Sequence, residues 1–104
     1  MIVEQRDYHV YTGKLPELVQ LYETEGIAIQ QEILGDLVGA FTTDVGQLST
    51  YTHMWRYESY AERDRRRAAL QADERWQAFL PRILPLIHTQ QNRILLPTSF
   101  SPLR

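Results

Sequence analysis

The chain has 104 residues, 43% of them hydrophobic and 23% charged, the balance of an ordinary globular protein rather than a disordered or fibrous one. Its formal net charge of −2 and its pI of about 5.9 argue against general nucleic-acid binding. The absence of cysteine excludes disulfides, thiolate metal sites and a cysteine nucleophile. A chain of this length is expected to form a single domain, 1–104, with a limited core that gains from dimerisation.

No apolar run approaches the roughly 20 residues that span a bilayer. Met1-Ile2-Val3-Glu4 enters a strand-like pattern at once, with no basic-then-apolar leader. A cytoplasmic protein without a membrane span is the expectation.

From Ile2 to Tyr11 the residues alternate, with Ile2, Glu4, Arg6, Tyr8 and Val10 on one side. Both sides mix apolar and polar residues, which reads as a strand with two partly covered faces. Thr12-Gly13-Lys14 is a turn, Thr12 can cap a helix that starts after it, and Pro16 suits a first helical turn. Leu15, Leu18, Val19, Tyr22, Gly26, Ile29 and Ile33 then form a helical stripe. Gly26 on that stripe either admits another backbone at close range or breaks the helix in two. Gly35 stands where a helix would stop.

Leu37 to Val45 is a second strand, and a short connection containing Gly46 leads into a third at Ser49–Glu58, an antiparallel hairpin. In the third strand Tyr51, His53, Trp55 and Tyr57 point one way, and Thr52, Met54 and Arg56 the other. Ser59-Tyr-Ala-Glu62 is a capping box, in which each end can satisfy the other's backbone N–H. The helix that it opens runs to about Ala72, and Arg63, Arg67 and Leu70 share one of its faces. Asp73 caps a further helical piece carrying Trp76, Phe79, Leu80 and Ile83, which Pro81 and Pro85 bend and stop. Ile87 to Leu96 is the last strand, and Thr98–Arg104 a loose or partner-embracing tail.

The order β-α-β-β-α-β is that of the ferredoxin-like α+β fold: a four-stranded antiparallel sheet with helices on one face. The opposite face meets water or a partner. Aromatic and apolar residues on both faces of the third strand favour a partner.

His53-Met-Trp-Arg-Tyr57, the downstream Arg63 and Arg67, then Leu70, Trp76, Gln91-Asn92 and Leu95-Leu96-Pro97 resemble the NIPSNAP family. Leu37-Val-Gly39-Ala-Phe41 with Val45-Gly46 matches the same family. The resemblance covers nearly the whole chain. It implies a dimeric α+β barrel, in which two ferredoxin-like sheets pack face to face. Proteins of similar fold include antibiotic-biosynthesis monooxygenases, haem-degrading monooxygenases and muconolactone-type isomerases.

Among candidate site residues, His53 is either a half-buried histidine bonded to a neighbour or a catalytic base, since a neutral imidazole suits that role. Arg63 and Arg67 either form a fork for a carboxylate or phosphate, or lie along the sheet edge near Glu58 and Glu62. Trp55 and Trp76 read as core or interface anchors. Tyr8 and Tyr51 offer hydroxyls to a ligand, as Tyr57 does. The histidine spacings do not indicate a metal site, and no cofactor motif appears.

Three functions stand open. One is a small-molecule-binding homodimer for an anionic or aromatic ligand, held by Tyr8, Tyr51, Trp55, Arg63 and Arg67. The second is a cofactor-independent monooxygenase or isomerase acting on a small aromatic or carbonyl compound, with His53 as base. The third is a structural or protein-interaction module. If the His53 face meets the helices, Arg63, Arg67 and Leu70 roof a cavity floored by His53, Trp55 and Tyr8 or Tyr51; if it meets the partner's sheet, His53 and Trp55 become interface residues.

Overall fold

The computed structural model describes residues Met1–Arg104. Alternation makes strand β1 at Ile2–Val10, β2 at Asp36–Thr42, β3 at Thr50–Tyr57 and β4 at Ile87–Leu95. They form one antiparallel sheet in the order β2-β3-β1-β4, the ferredoxin-like arrangement. Helices α1 (Leu15–Leu21), α2 (Ile27–Leu34), α3 (Tyr60–Ala72) and α4 (Glu74–Ile83) cover one face. No helix is long and apolar enough to cross a membrane.

The side chains that meet the helices are those of Ile2, Glu4, Arg6, Tyr8 and Val10 on β1 and of Tyr51, His53, Trp55 and Tyr57 on β3, all buried. The two sets stand opposite each other, with Tyr8 across from Tyr51, Arg6 from His53 and Glu4 from Trp55. His53 and Trp55 therefore lie inside the protomer rather than on the uncovered face. One apolar cluster joins Trp55 and its aromatic neighbours to Leu18, Tyr22, Leu34, Leu70, Trp76, Phe79 and Ile83 from the helices.

Gly26 neither breaks its helix nor admits a backbone. Between α1 and α2 the chain widens into one π-helical turn, Tyr22–Gly26, and the helix continues. The close neighbour is an aromatic ring: a Cβ on Gly26 would stand 2.5 Å from Phe79 Cζ. Thr12 does not cap α1; Lys14 takes that position without a side-chain bond.

The two later caps form as the sequence implies. Ser59 Oγ accepts from the Glu62 N–H at 3.1 Å, and Asp73 Oδ1 accepts from the N–H groups of Arg75 and Trp76 at 2.8 and 3.2 Å. The box is half closed, because the Glu62 carboxylate turns outward to Arg65 and to Arg66. Pro81 sits inside α4 without ending it; the helix runs on to Ile83, and Pro85 enters a 3₁₀ turn at Leu84–Leu86. The segment after β4 folds back over the uncovered sheet face, where Leu96, Pro97, Ser101 and Leu103 border a groove with Val3, Val38 and Met54.

Candidate functional site

The site begins with a buried carboxylate. Glu4 has no exposed surface, and isolated in an apolar core its charge would be untenable. Two arginines resolve this. Arg63, reaching down from α3, donates from Nε to Glu4 Oε1 at 3.1 Å and from Nη2 to Oε2 at 2.9 Å. Arg6, two residues along β1, donates from Nη1 to Oε2 at 3.1 Å. Burial alone would raise the Glu4 pKa; the hydrogen bond from Arg63 and the charges of Arg6, Arg67 and Arg63 outweigh it and hold the group below the usual carboxylate range.

Arg6 is bonded through Nη1 and Nε. Its Nε donates to the Tyr8 hydroxyl at 2.9 Å, and its guanidinium lies 5.7 Å from the Tyr8 ring centroid. The amide orientation of Asn92 that satisfies both its ends brings Oδ1 within 2.7 Å of Arg6 Nη1. Arg67 differs. One turn along α3 from Arg63, it faces the same charge cluster, yet its Nη1 is buried without a hydrogen-bond partner. Arg63 also pairs with Asp64 at 3.2 Å, so three guanidiniums meet two carboxylates, and the one that forms no ion pair is Arg67.

Arg67 borders a cavity of about 210 Å³ between sheet and helices. Arg6 and Tyr8 supply its floor from β1, with Ile87 and Gln90 from β4. Tyr22 comes from the π turn, and Trp76, Leu80 and Ile83 from α4. Gln71, Leu84 and Gln90 line it as well and are exposed to solvent, so they mark the mouth. Tyr22 is buried and its hydroxyl has no hydrogen-bond partner. Burial pushes its pKa well up, so it stays a neutral hydroxyl able to donate.

Of the residues that the sequence points to, Tyr8 and Arg67 line the cavity. Arg63 is placed instead on Glu4, and Leu70 is sealed in the core. Tyr51 stacks on Tyr22 with ring centroids 4.9 Å apart, behind the cavity wall. Trp55 is wholly buried and donates from Nε1 to His53 Nδ1 at 2.9 Å. Because indole nitrogen only donates, Nδ1 is an acceptor and the proton of the neutral ring is on Nε2, which has no partner.

His53 packs edge-on to Tyr8 and Tyr22 but does not line the cavity. Desolvation, with the charges of Arg6 and Arg67, pulls its pKa down to about 3. His9 and His88 have ring centroids 6.1 Å apart at the other end of the sheet, and no cluster of potential metal ligands forms.

Glu4, Arg6, Tyr22, Gln71 and Gln90 were not singled out from the sequence. For the first two a signal exists: they alternate with Ile2, Tyr8 and Val10, so they share a face with core residues and are buried along with them.

A four-stranded antiparallel sheet in the order β2-β3-β1-β4 with helices on one face defines the ferredoxin-like α+β class. In fold the chain matches an antibiotic biosynthesis monooxygenase with a TM-score of 0.66 at 10% identity, over 95% of this chain and all of that one. The NIPSNAP family model matches residues 3–102, and the chain belongs to the NIPSNAP family. A NIPSNAP family protein of Agrobacterium tumefaciens is 55% identical with a TM-score of 0.97, over 99% of this chain and 98% of that one. Protein NipSnap homolog 1 of Danio rerio is 31% identical over 99% of this chain, and Protein NipSnap homolog 3A of Homo sapiens is 32% identical over 88% of it. The matched segment spans only 36% and 37% of those two longer proteins.

Proposed function

We propose that this protein binds a small anionic molecule in the cavity between its sheet and helices, and that it does so as a homodimer without chemistry of its own. The observation that carries this reading is Arg67. A buried guanidinium nitrogen with no partner is costly, and here it belongs to a residue that lines a cavity without any carboxylate in its wall, while nearby Glu4 is already bound by Arg63 and Arg6. Arg67 touches the ligand in this reading, with the Tyr8 and Tyr22 hydroxyls as neighbouring donors, while Arg63 holds Glu4 in place.

The oxygenase or isomerase alternative needs a base. A histidine that is fully enclosed, already accepting at Nδ1 and with a pKa near 3 has little power to remove a proton at neutral pH. The geometry therefore favours binding over catalysis by His53.

The dimer forms through the uncovered sheet face in this proposal. Val38, Phe41 and Leu95 are exposed there beside Val3 and Met54, and contiguous apolar surface of this kind calls for a partner. A cytoplasmic location belongs to the same proposal; a cysteine-free chain is compatible with a reducing compartment.

Calorimetric titration with small anions at low ionic strength, on wild type and Arg67→Gln, tests the binding. The expected result is an anion that binds wild type and is lost in the variant. Equal binding by both proteins, or binding of no anion by either, refutes it. Light scattering at micromolar concentration is expected to give twice the protomer mass; a monomer refutes the dimer.

A further inference from the structure

The cavity is lined by both polar and apolar residues, and their contrast narrows the ligand. Resting on the anion-binding reading, we propose that its ligand is an amphipathic monocarboxylate: one carboxylate head on Arg67 and Tyr22, and a compact apolar or aryl body against α4.

The head is set by charge. Arg6 and Arg63 are paired with Glu4, and Arg63 also with Asp64, whereas Arg67 forms no ion pair. Arg67 and Tyr22 both line the cavity, and Arg67 Nη1 and the Tyr22 hydroxyl are buried without a partner; the Tyr8 hydroxyl accepts from Arg6 and keeps its own proton to donate. One unpaired cation with neutral donors beside it matches the single charge and two oxygens of a carboxylate. A phosphate dianion carries a second charge, for which no unpaired cation is left among the lining residues; the exposed amides of Gln71 and Gln90 at the mouth bring no charge.

The body is set by the remaining walls. Trp76, Leu80, Ile83 and Ile87 present apolar surface, which a short polar acid would leave uncovered. Size sets the limit. A volume of about 210 Å³ equals roughly seven water molecules in the liquid and is below the range of drug-sized sites. A single substituted ring or a short branched chain fills it, and a fused polycycle does not.

The test uses the full chain and five probes: phenylacetate and 3-methylbutanoate (head and body), phenylacetamide (body without charge), acetate (head without body) and inorganic phosphate (dianion). Affinities are read by calorimetry for wild type, Arg67→Gln and Tyr22→Phe, with folding of each variant confirmed by circular dichroism. At least one of the two head-and-body acids is expected to bind best. Its affinity should fall about tenfold or more without the charge, in phenylacetamide or in Arg67→Gln, and severalfold in Tyr22→Phe. Acetate and phosphate should bind at least tenfold more weakly.

Phosphate binding tighter than either acid, yet still lost in Arg67→Gln, overturns the monocarboxylate while leaving an anion site. Acetate binding as tightly as the larger acids overturns the apolar body alone. Phenylacetamide matching phenylacetate, affinities unchanged in Arg67→Gln, or no binding by any probe overturns the ligand class and the anion-binding reading together. Should Arg67→Gln fail to fold, Arg67→Lys takes its place, expected to keep charge-dependent but weaker binding; unchanged affinity there counts against the head assignment.

Discussion

Removing the charge of Glu4 exposes how the core tolerates three arginines. In Glu4→Gln the side-chain volume is kept and the carboxylate is lost. Three charge-assisted contacts go with it, two from Arg63 and one from Arg6. Breaking a buried ion pair from one side costs roughly 3–5 kcal/mol, because the other charge is left uncompensated. The Arg63 side chain is 24% exposed, so water recovers part of that, and the lower end, ~3 kcal/mol, is the working value. For a chain of this length that is a fall in Tm of roughly 12–24 °C. The assay is urea unfolding at fixed protein concentration, followed by fluorescence of the buried Trp55 and Trp76.

The same variant carries a pH signature. Glu4 has a folded pKa below its unfolded value, so it stabilises the protein above the unfolded carboxylate pKa. That stability is lost as pH falls through the folded pKa. Glu62 and Asp73 are lowered too, so wild type and variant should both weaken in acid. Their difference, which isolates Glu4, should shrink below about pH 4. A stability loss under about 1 kcal/mol at pH 7, or a difference that does not change with pH, would refute the reasoning that Glu4 neutralises the arginines.

Three further outcomes are expected. Gly26→Ala sets a Cβ against the Phe79 ring and should cost ~1–3 kcal/mol by overpacking, read by the same urea titration; a neutral result would mean that the ring shifts freely. By NMR, the His53 ring should stay neutral down to about pH 4, since its pKa lies near 3. Because the unfolded chain protonates this ring near 6.5, His53 should contribute stability that declines as pH falls from there toward 3, and a midpoint above pH 6 would contradict its burial. Phe41→Asp puts a charge on the uncovered sheet face and should convert the dimer to monomer by light scattering without loss of helical circular dichroism; a retained dimer would place the interface elsewhere.

The element order was legible because period-2 and period-3.6 patterns alternate along the chain, and because Ser59 and Asp73 announce two helix starts in their own chemistry. The orientation of β3 was not. Its two faces, Tyr51-His53-Trp55-Tyr57 and Thr52-Met54-Arg56, both mix polar and apolar groups, so alternation alone leaves the inward side open. The structure puts the aromatic side inward, where Tyr8 and Tyr22 offer it ring contacts.

The site was half legible. Arg67 and Tyr8 stood out, but the Glu4–Arg6 pair did not, because charged residues on a strand ordinarily face water. Their alternation with Ile2, Tyr8 and Val10 was the one available signal, and it takes the pairing of β1 with β3 and the reach of Arg63 from α3 to show what neutralises them inside. The π turn that brings in Tyr22 has no local signal beyond Gly26, and depends on the Phe79 ring packed against it.

A crystal structure with bound 4-bromobenzoate tests the central claim most directly, since bromine locates itself by anomalous scattering. The account predicts the bromine against Trp76 and Leu80, with the carboxylate within hydrogen-bond distance, about 3 Å, of Arg67 and Tyr22. A ligand bound outside this cavity, a carboxylate turned away from Arg67, or an Arg67 found paired with a carboxylate of the protein itself would contradict it.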